Sequence, residues 1–128
     1  MSPEKFESVF ENQVLACRET LVQKAKEYAT DDRLHNFKVA AKLQGTTPRD
    51  ALCGMMAKHI VSVFDLSRKE ELAAMHIWDE KIGDALNYLF LLRAVVEEEY
   101  YDTPIAEPMF STNTEGNFYI TNQTNKRK

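Results

Sequence analysis

Glycine and proline are scarce, with four of each in 128 residues. That leaves little turn material for a many-stranded β protein. Two cysteines, Cys17 and Cys53, are too few for a disulfide scaffold and fit a reduced, intracellular chain. No run of about 18 apolar residues occurs, which argues against a membrane-spanning helix. The opening Ser2-Pro3-Glu4-Lys5 lacks the basic start and apolar stretch of a signal peptide, so a cytoplasmic location is expected. Basic excess is missing as well: 16 Lys and Arg face 20 Asp and Glu, a net charge of −4 and a pI near 5.4. Such a chain has no electrostatic footprint for nucleic acid. Also absent are a glycine-rich phosphate loop, an HExxH zinc motif and a CxxC pair. What remains is 44% apolar residues, enough for one core in one domain. The composition is that of a small, acidic, all-α protein.

Helical periodicity carries the chain as far as residue 100. Ser2 caps a first helix with Pro3 at its first position. Phe6, Phe10, Val14, Cys17, Leu21, Ala25 and Tyr28 then recur at steps of three and four, predicting a helix from residue 3 to about 29. Thr30-Asp31-Asp32 reads as a turn and the next N-cap. Leu34, Phe37, Ala40, Ala41 and Leu43 give a short helix stopped by Gly45. Thr47-Pro48-Arg49-Asp50 starts a third helix over about 48–66, with Leu52, Met55, Met56, His59, Ile60, Val63 and Phe64 as its buried stripe.

Ser67-Arg68-Lys69-Glu70 repeats the capping-box pattern, so a fourth helical stretch to about Tyr100 is expected, in one piece or two. Trp78, Ile82, Ala85, Leu89, Leu92 and Val96 share one narrow face of it. Between Ala85 and Val96 nearly every position is apolar, and a helix apolar all round is enclosed on several sides. In so small a chain a subunit interface is the expected cover, hence a homo-oligomer. Either side of Tyr101 the acids Glu97, Glu98, Glu99, Asp102 and Glu107 lead into a Ser/Thr/Asn-rich tail, with Pro104 and Pro108 stopping further helix. Its one β-like run is Asn117 to Thr121, and Lys126-Arg127-Lys128 ends the chain. The division is a helical domain over 1–100 and an extended or partly disordered tail over 101–128.

The informative stretch is Trp78-Asp79-Glu80-Lys81-Ile82-Gly83-Asp84-Ala85-Leu86-Asn87-Tyr88. Glu80, Asp84 and Asn87 fall at i, i+4 and i+7, so two carboxylates and an amide share one helix side. Such oxygen donors suit a hard cation such as Mg²⁺. On the third helix Lys58 and His59 are candidate phosphate ligands. Arg33 and Lys38 cluster after the first helix, with His35 and Asn36 between them. Each has a structural alternative. Cys17 and Cys53 read as small buried hydrophobes, Lys58 as a solvated lysine, and His59 as a satisfied core histidine. His76 reads as structural or exposed, and Glu80 as part of a solvated face.

Taken in order, Lys26-Glu27-Tyr28-Ala29, Asn36-Phe37 with Ala40, Met56-x-Lys58-His59, and Glu80-Lys81-Ile82-Gly83-Asp84-x-x-Asn87-Tyr88 resemble phage and bacterial members of the MazG-like group. The resemblance covers about residues 5–98 and implies an all-α, four-helix-bundle-like core that assembles as a dimer or tetramer. Those proteins are nucleoside triphosphate pyrophosphohydrolases, whose ExxE and ExxD pairs hold Mg²⁺. Asp84 matches the second pair, but Lys81 stands where its glutamate should, and Met55-Met56-Ala57-Lys58-His59-Ile60 contains no glutamate at all.

Two-metal phosphate chemistry needs a dense anionic ligand set, and cations in its place attract phosphate directly. Three readings follow. The first is a nucleotide-binding protein with little turnover, sequestering a nucleotide or nucleotide signal. Its phosphate contacts are Lys58, His59 and Lys81, with Arg33 and Lys38, while Asn87 and Tyr88 orient base or ribose; no cofactor is required. The second is a pyrophosphohydrolase with Mg²⁺ on Glu80 and Asp84. The third is a structural or protein-interaction bundle. The net charge does not weigh against a small phosphate ligand, because residues 97–107 hold five acids and no base, leaving 16 bases against 15 acids elsewhere.

Overall fold

In the computed structural model, residues 1–27, 31–102, 104–106, 110–112, 114–116, 118–120 and 124–126 are described. Tyr28, Ala29, Thr30, Glu107, Pro108, Asn117, Thr121, Arg127 and Lys128, which enter the sequence expectations, lie outside that set. The all-α class holds, with four α-helices among the described residues: α1 (Pro3–Arg18), α2 (His35–Gln44), α3 (Pro48–Ser67) and α4 (Met75–Asp102). No described helix is long and apolar enough to cross a membrane. Contacts divide the chain into two compact units, Met1–Arg93 and Ala94–Lys128, with the division inside α4.

In the first unit, helix starts follow local chemistry closely. Ser2 Oγ accepts the Lys5 N–H at 3.2 Å and Thr47 Oγ1 accepts the Asp50 N–H at 3.2 Å, each followed by a proline in the first turn. Gly45, at φ +67, ends α2 in the left-handed conformation that side chains resist. Two other starts are corrected. The N-cap position of α2 is Leu34, and Asp32 acts two residues earlier, its carboxylate accepting the Leu34 N–H at 2.9 Å. Ser67 opens no helix; it is the last residue of α3, its hydroxyl donating to the Phe64 carbonyl at 2.8 Å, and α4 begins only at Met75.

Thr47 and Ser67 thus carry the same motif in opposite surroundings, which predicts opposite sensitivities. Thr47→Ala is expected to cost about 0.5–2 kcal/mol, and Ser67→Ala less than about 0.5 kcal/mol. Urea unfolding midpoints at constant m-value measure both.

Helix one does not reach residue 29 as α-helix. It ends at Arg18, passes into a π-helical turn over Glu19–Gln23 and continues as 3₁₀ helix over Lys24–Glu27. Thr20 Oγ1 donates back to the Ala16 carbonyl at 3.4 Å, and such back-bonding loosens the regular ladder at β-branched positions.

The core is small. Cys17, Leu34, Phe37, Ala41, Ala51, Leu52, Leu66 and Ala85 are buried, and α2 packs closely on α3 across the short Gly45–Thr47 link. The expected stripes are only partly covered. On helix one Cys17 is buried, yet Phe6 and Phe10 on the same stripe are 62% and 55% exposed. Phe64 of α3 and Leu89 of α4 are exposed as well, and so is Cys53, which is no buried hydrophobe.

The second unit holds the end of α4, with Val95 fully buried and Tyr100 edge-to-face on Tyr101. The tail, expected to be extended or partly disordered, forms two antiparallel ladders where it is described. β1 (Pro104–Ala106) pairs with β4 (Thr124–Lys126), and β2 (Phe110–Thr112) with β3 (Phe118–Ile120). Gly116, at φ +82, turns the chain between β2 and β3. β-Branched and aromatic residues flanking a turn favour such pairing, and the β-like run read around Phe118 is where β3 forms.

Candidate functional site: an acidic cleft between α1 and α4

One side of α4 faces the second half of helix one across a cleft of about 150 Å³. From α4 come Asp79, Glu80, Gly83, Asp84 and Asn87, spaced at three and four residues as a helix presents one side. Gln13, Ala16, Cys17 and Thr20 form the opposite wall by the same spacing. Gln13 Nε2 donates weakly to the Cys17 sulfur at 3.7 Å. The lining therefore holds three carboxylates, two amides and a hydroxyl, with no Lys or Arg among the described residues. Asn87 Oδ1 is buried without a hydrogen-bond partner. A buried acceptor in that state is costly.

Behind the cleft, α3 supports Asp84. His59 Nδ1 stands 3.4 Å from Asp84 Oδ2, and the imidazole stacks on the Tyr88 ring with centroids 4.9 Å apart and planes 30° off parallel. Tyr88 lies one turn beyond Asp84, so the one imidazole of α3 meets both residues. The sequence residues His59, Asp84 and Tyr88 are thereby brought together, and Glu80, Asp84 and Asn87 meet in the cleft.

Lys81 Nζ binds Glu80 Oε1 at 2.7 Å. That hydrogen bond, reinforced by the lysine charge, holds the Glu80 carboxyl below its usual range and raises the Lys81 ammonium above its own. Arg33 precedes α2 and Lys38 is in its first turn, and neither lines the cleft. Lys38 Nζ binds Asp32 Oδ2 at 2.7 Å, which, with the Leu34 N–H, lowers the Asp32 carboxyl. Carboxyls lowered in this way stabilise the fold above their ordinary values, and the contribution is lost as pH falls through the lowered value. Lys58 is exposed on α3, its carbonyl accepting the Ser62 hydroxyl at 2.9 Å.

Sequence reasoning passes over the α1 wall. Its signal is available there, because Gln13 is a polar residue placed between Phe10 and Cys17 on an otherwise apolar stripe.

The donor set admits a hard cation. Mg²⁺ is commonly held by one or two carboxylates, keeping waters and ligand phosphates in its other positions. Glu80 and Asp84, one turn apart with Asn87 beyond them, fit that requirement. Among the described residues no three His, Cys, Asp or Glu side chains form a metal-binding group. Fold and site together define an all-α chain with an acidic, helix-walled cleft. Comparison with protein-family models, with curated proteins and with solved structures finds no match.

Proposed function

We propose that this chain binds a nucleotide in the α1/α4 cleft, with the phosphates reached through Mg²⁺ at Glu80 and Asp84, and holds it with little turnover. The observation that carries this reading is the lining: three carboxylates, with no Lys or Arg among the described residues there. Such a surface repels bare phosphate and accepts a cation or hydrogen-bond donors. The bound Mg²⁺ supplies charge neutralisation for the phosphates. His59 then serves Asp84 rather than the ligand directly, and Tyr88 backs His59. Lys58 and Lys81 remain available to phosphate oxygens beyond the metal, Lys81 by exchanging its Glu80 partner. Arg33 and Lys38 are the least supported of the sequence candidates, since the Lys38 charge is already matched by Asp32.

Binding is favoured over hydrolysis because two-metal attack on phosphate needs more converging anionic ligands than the described residues bring together. The pyrophosphohydrolase reading keeps one specific support: Asp79, a third carboxylate on the same cleft. Kinship with the MazG-like group, a four-helix-bundle-like core and a cytoplasmic location belong to the same proposal. So does a homo-oligomer, dimer or tetramer, and the exposed Phe6, Phe10, Phe64 and Phe90 support it.

The test is a thermal-shift screen of Mg²⁺ alone, then Mg²⁺ with nucleoside mono-, di- and triphosphates and cyclic nucleotides, followed by product analysis. At a concentration of about 100 Kd a ligand stabilises by about 2.7 kcal/mol, a shift of several degrees in a chain this size. The expected result is a Mg²⁺-dependent shift with no pyrophosphate released. Release of pyrophosphate selects the enzyme reading. No shift from any nucleotide, with or without Mg²⁺, overturns both.

A further inference from the structure

The first turns of α1 form an amphipathic arm. Phe6, Val9 and Phe10 fall on one face by the 3.6-residue period, while Glu4, Glu7 and Glu11 turn away from it. Every residue from Pro3 to Asn12 is exposed, and Cys17 is the one buried residue of α1. Isolated helices shorter than about 12–15 residues are marginal in water, and in proteins an apolar face packed on a neighbour supplies most of their stability. The arm therefore needs a cover that is present whenever the chain is. A transient partner does not meet that need; a second copy of the chain does.

α4 carries a matching surface. Leu86, Leu89, Phe90, Leu91 and Leu92 make it apolar on every side, and Leu89 and Phe90 are 46% and 51% exposed. One chain thus holds two uncovered apolar faces, and in a pair of chains each can cover the other. The area is adequate. Phe6, Val9, Phe10, Leu89 and Phe90, each about half exposed, leave roughly 500 Å² of apolar surface per chain. Two copies bury about 1,000 Å² from these side chains alone, the least that a specific interface requires. Charge agrees as well. The far side of the arm is acidic, unlike the basic side of helices that lie on anionic membranes. Arg93 stands one turn beyond Leu89, opposite in sign to that acidic side.

We infer that two copies of this chain associate about a two-fold axis, with Phe6, Val9 and Phe10 of each α1 lying on Leu89 and Phe90 of the other copy's α4. A two-fold contact is reciprocal, so each chain gives its arm and receives one. This rests on the homo-oligomer reading, whose surface it names, and is independent of nucleotide binding.

Sedimentation equilibrium of the full chain should give at least twice the 14.8 kDa of one copy. Phe10→Ser and Phe90→Ser should each raise the dissociation constant of the assembly at least about 100-fold, because two-fold symmetry repeats each loss. Leu43→Ser, at a more exposed side chain on α2, should leave it unchanged. Cysteine pairing in a Cys53→Ser background reads the contact directly. Val9→Cys and Leu89→Cys chains, mixed and oxidised, should form a disulfide between positions 9 and 89 of different copies, identified by peptide mass.

A monomeric wild type overturns the homo-oligomer reading and this inference together. An assembly that Phe10→Ser and Phe90→Ser leave intact overturns the inference alone, since the copies then meet elsewhere. Absence of the disulfide between positions 9 and 89 in an assembled protein does the same.

Discussion

Leu52→Ala is expected to lower the unfolding free energy by about 2–5 kcal/mol, with Tm falling on the order of 10–30 °C. Leu52 lies near the start of α3 and has no solvent exposure, beside Ala51 at 1%. The mechanism is loss of the transfer free energy of the removed methyl groups, together with the cavity they leave. The effect is large here because the buried set is short. Leu34, Phe37, Leu52 and Leu66 are the buried large side chains among the described residues of the first unit, and three of those four belong to α2, its entry or the start of α3. A hole at Leu52 has few neighbours able to collapse into it. Leu43→Ala removes the same atoms from a side chain 83% exposed on α2 and should cost less than about 0.5 kcal/mol. Urea unfolding of the two variants beside wild type is the measurement. A Leu52→Ala cost below about 1 kcal/mol would show that the α2/α3 pair is not where the stability resides.

Asp84→Asn should abolish the Mg²⁺-dependent part of nucleotide stabilisation while shifting the ligand-free Tm little. The substitution keeps the shape and removes the charge. Without that charge the Glu80/Asp84 pair is reduced to Glu80, already committed to Lys81 at 2.7 Å, and a hard cation loses half of that pair. At nucleotide concentrations near 100 times the wild-type Kd, about 2.7 kcal/mol of stabilisation is at stake. The ligand-free protein should tolerate the change, because Asp84 is half-exposed and its contact with His59 is long, at 3.4 Å. Lys58→Glu makes the opposite substitution beyond the lining. It should weaken nucleotide binding without altering the response to Mg²⁺ alone. If Asp84→Asn retains the full Mg²⁺-dependent shift, the metal does not sit on α4. If Lys58→Glu alone removes binding, the phosphate is held by direct cation contact, as the residue types on α3 suggest.

The parts of this protein that are legible in its sequence are those decided within one or two helical turns. Ser2 and Thr47 cap because their hydroxyls reach the N–H three residues on, and Gly45 ends α2 because only glycine accepts its φ cheaply. Ser67 has the same local pattern as Thr47 and fails as a start. It is already helical as the last residue of α3, so its hydroxyl finds the Phe64 carbonyl instead. The apolar spacing overextends helix one for a related reason. A three-and-four period does not distinguish α-helix from the π and 3₁₀ turns that follow Arg18.

The α4 side of the candidate site is readable by the same local rule, since Glu80, Asp84 and Asn87 fall at helical spacing whatever surrounds them. Their partners are not. That Gln13, Cys17 and Thr20 face them, that His59 and Tyr88 stack behind Asp84, and that Lys38 is matched by Asp32 depend on how separate segments meet.

The helical class, most of the helix boundaries and the acidic side of α4 follow from the order of residues alone, because backbone hydrogen bonding and side-chain spacing along a helix are local. Which cations are missing from the lining of the cleft, and which apolar residues remain uncovered, follow from how distant segments meet. Phe6 and Cys17 occupy one stripe by spacing, yet one is exposed and the other buried. Burial depends on what the rest of the chain brings to each turn, and the period of a helix carries no record of that.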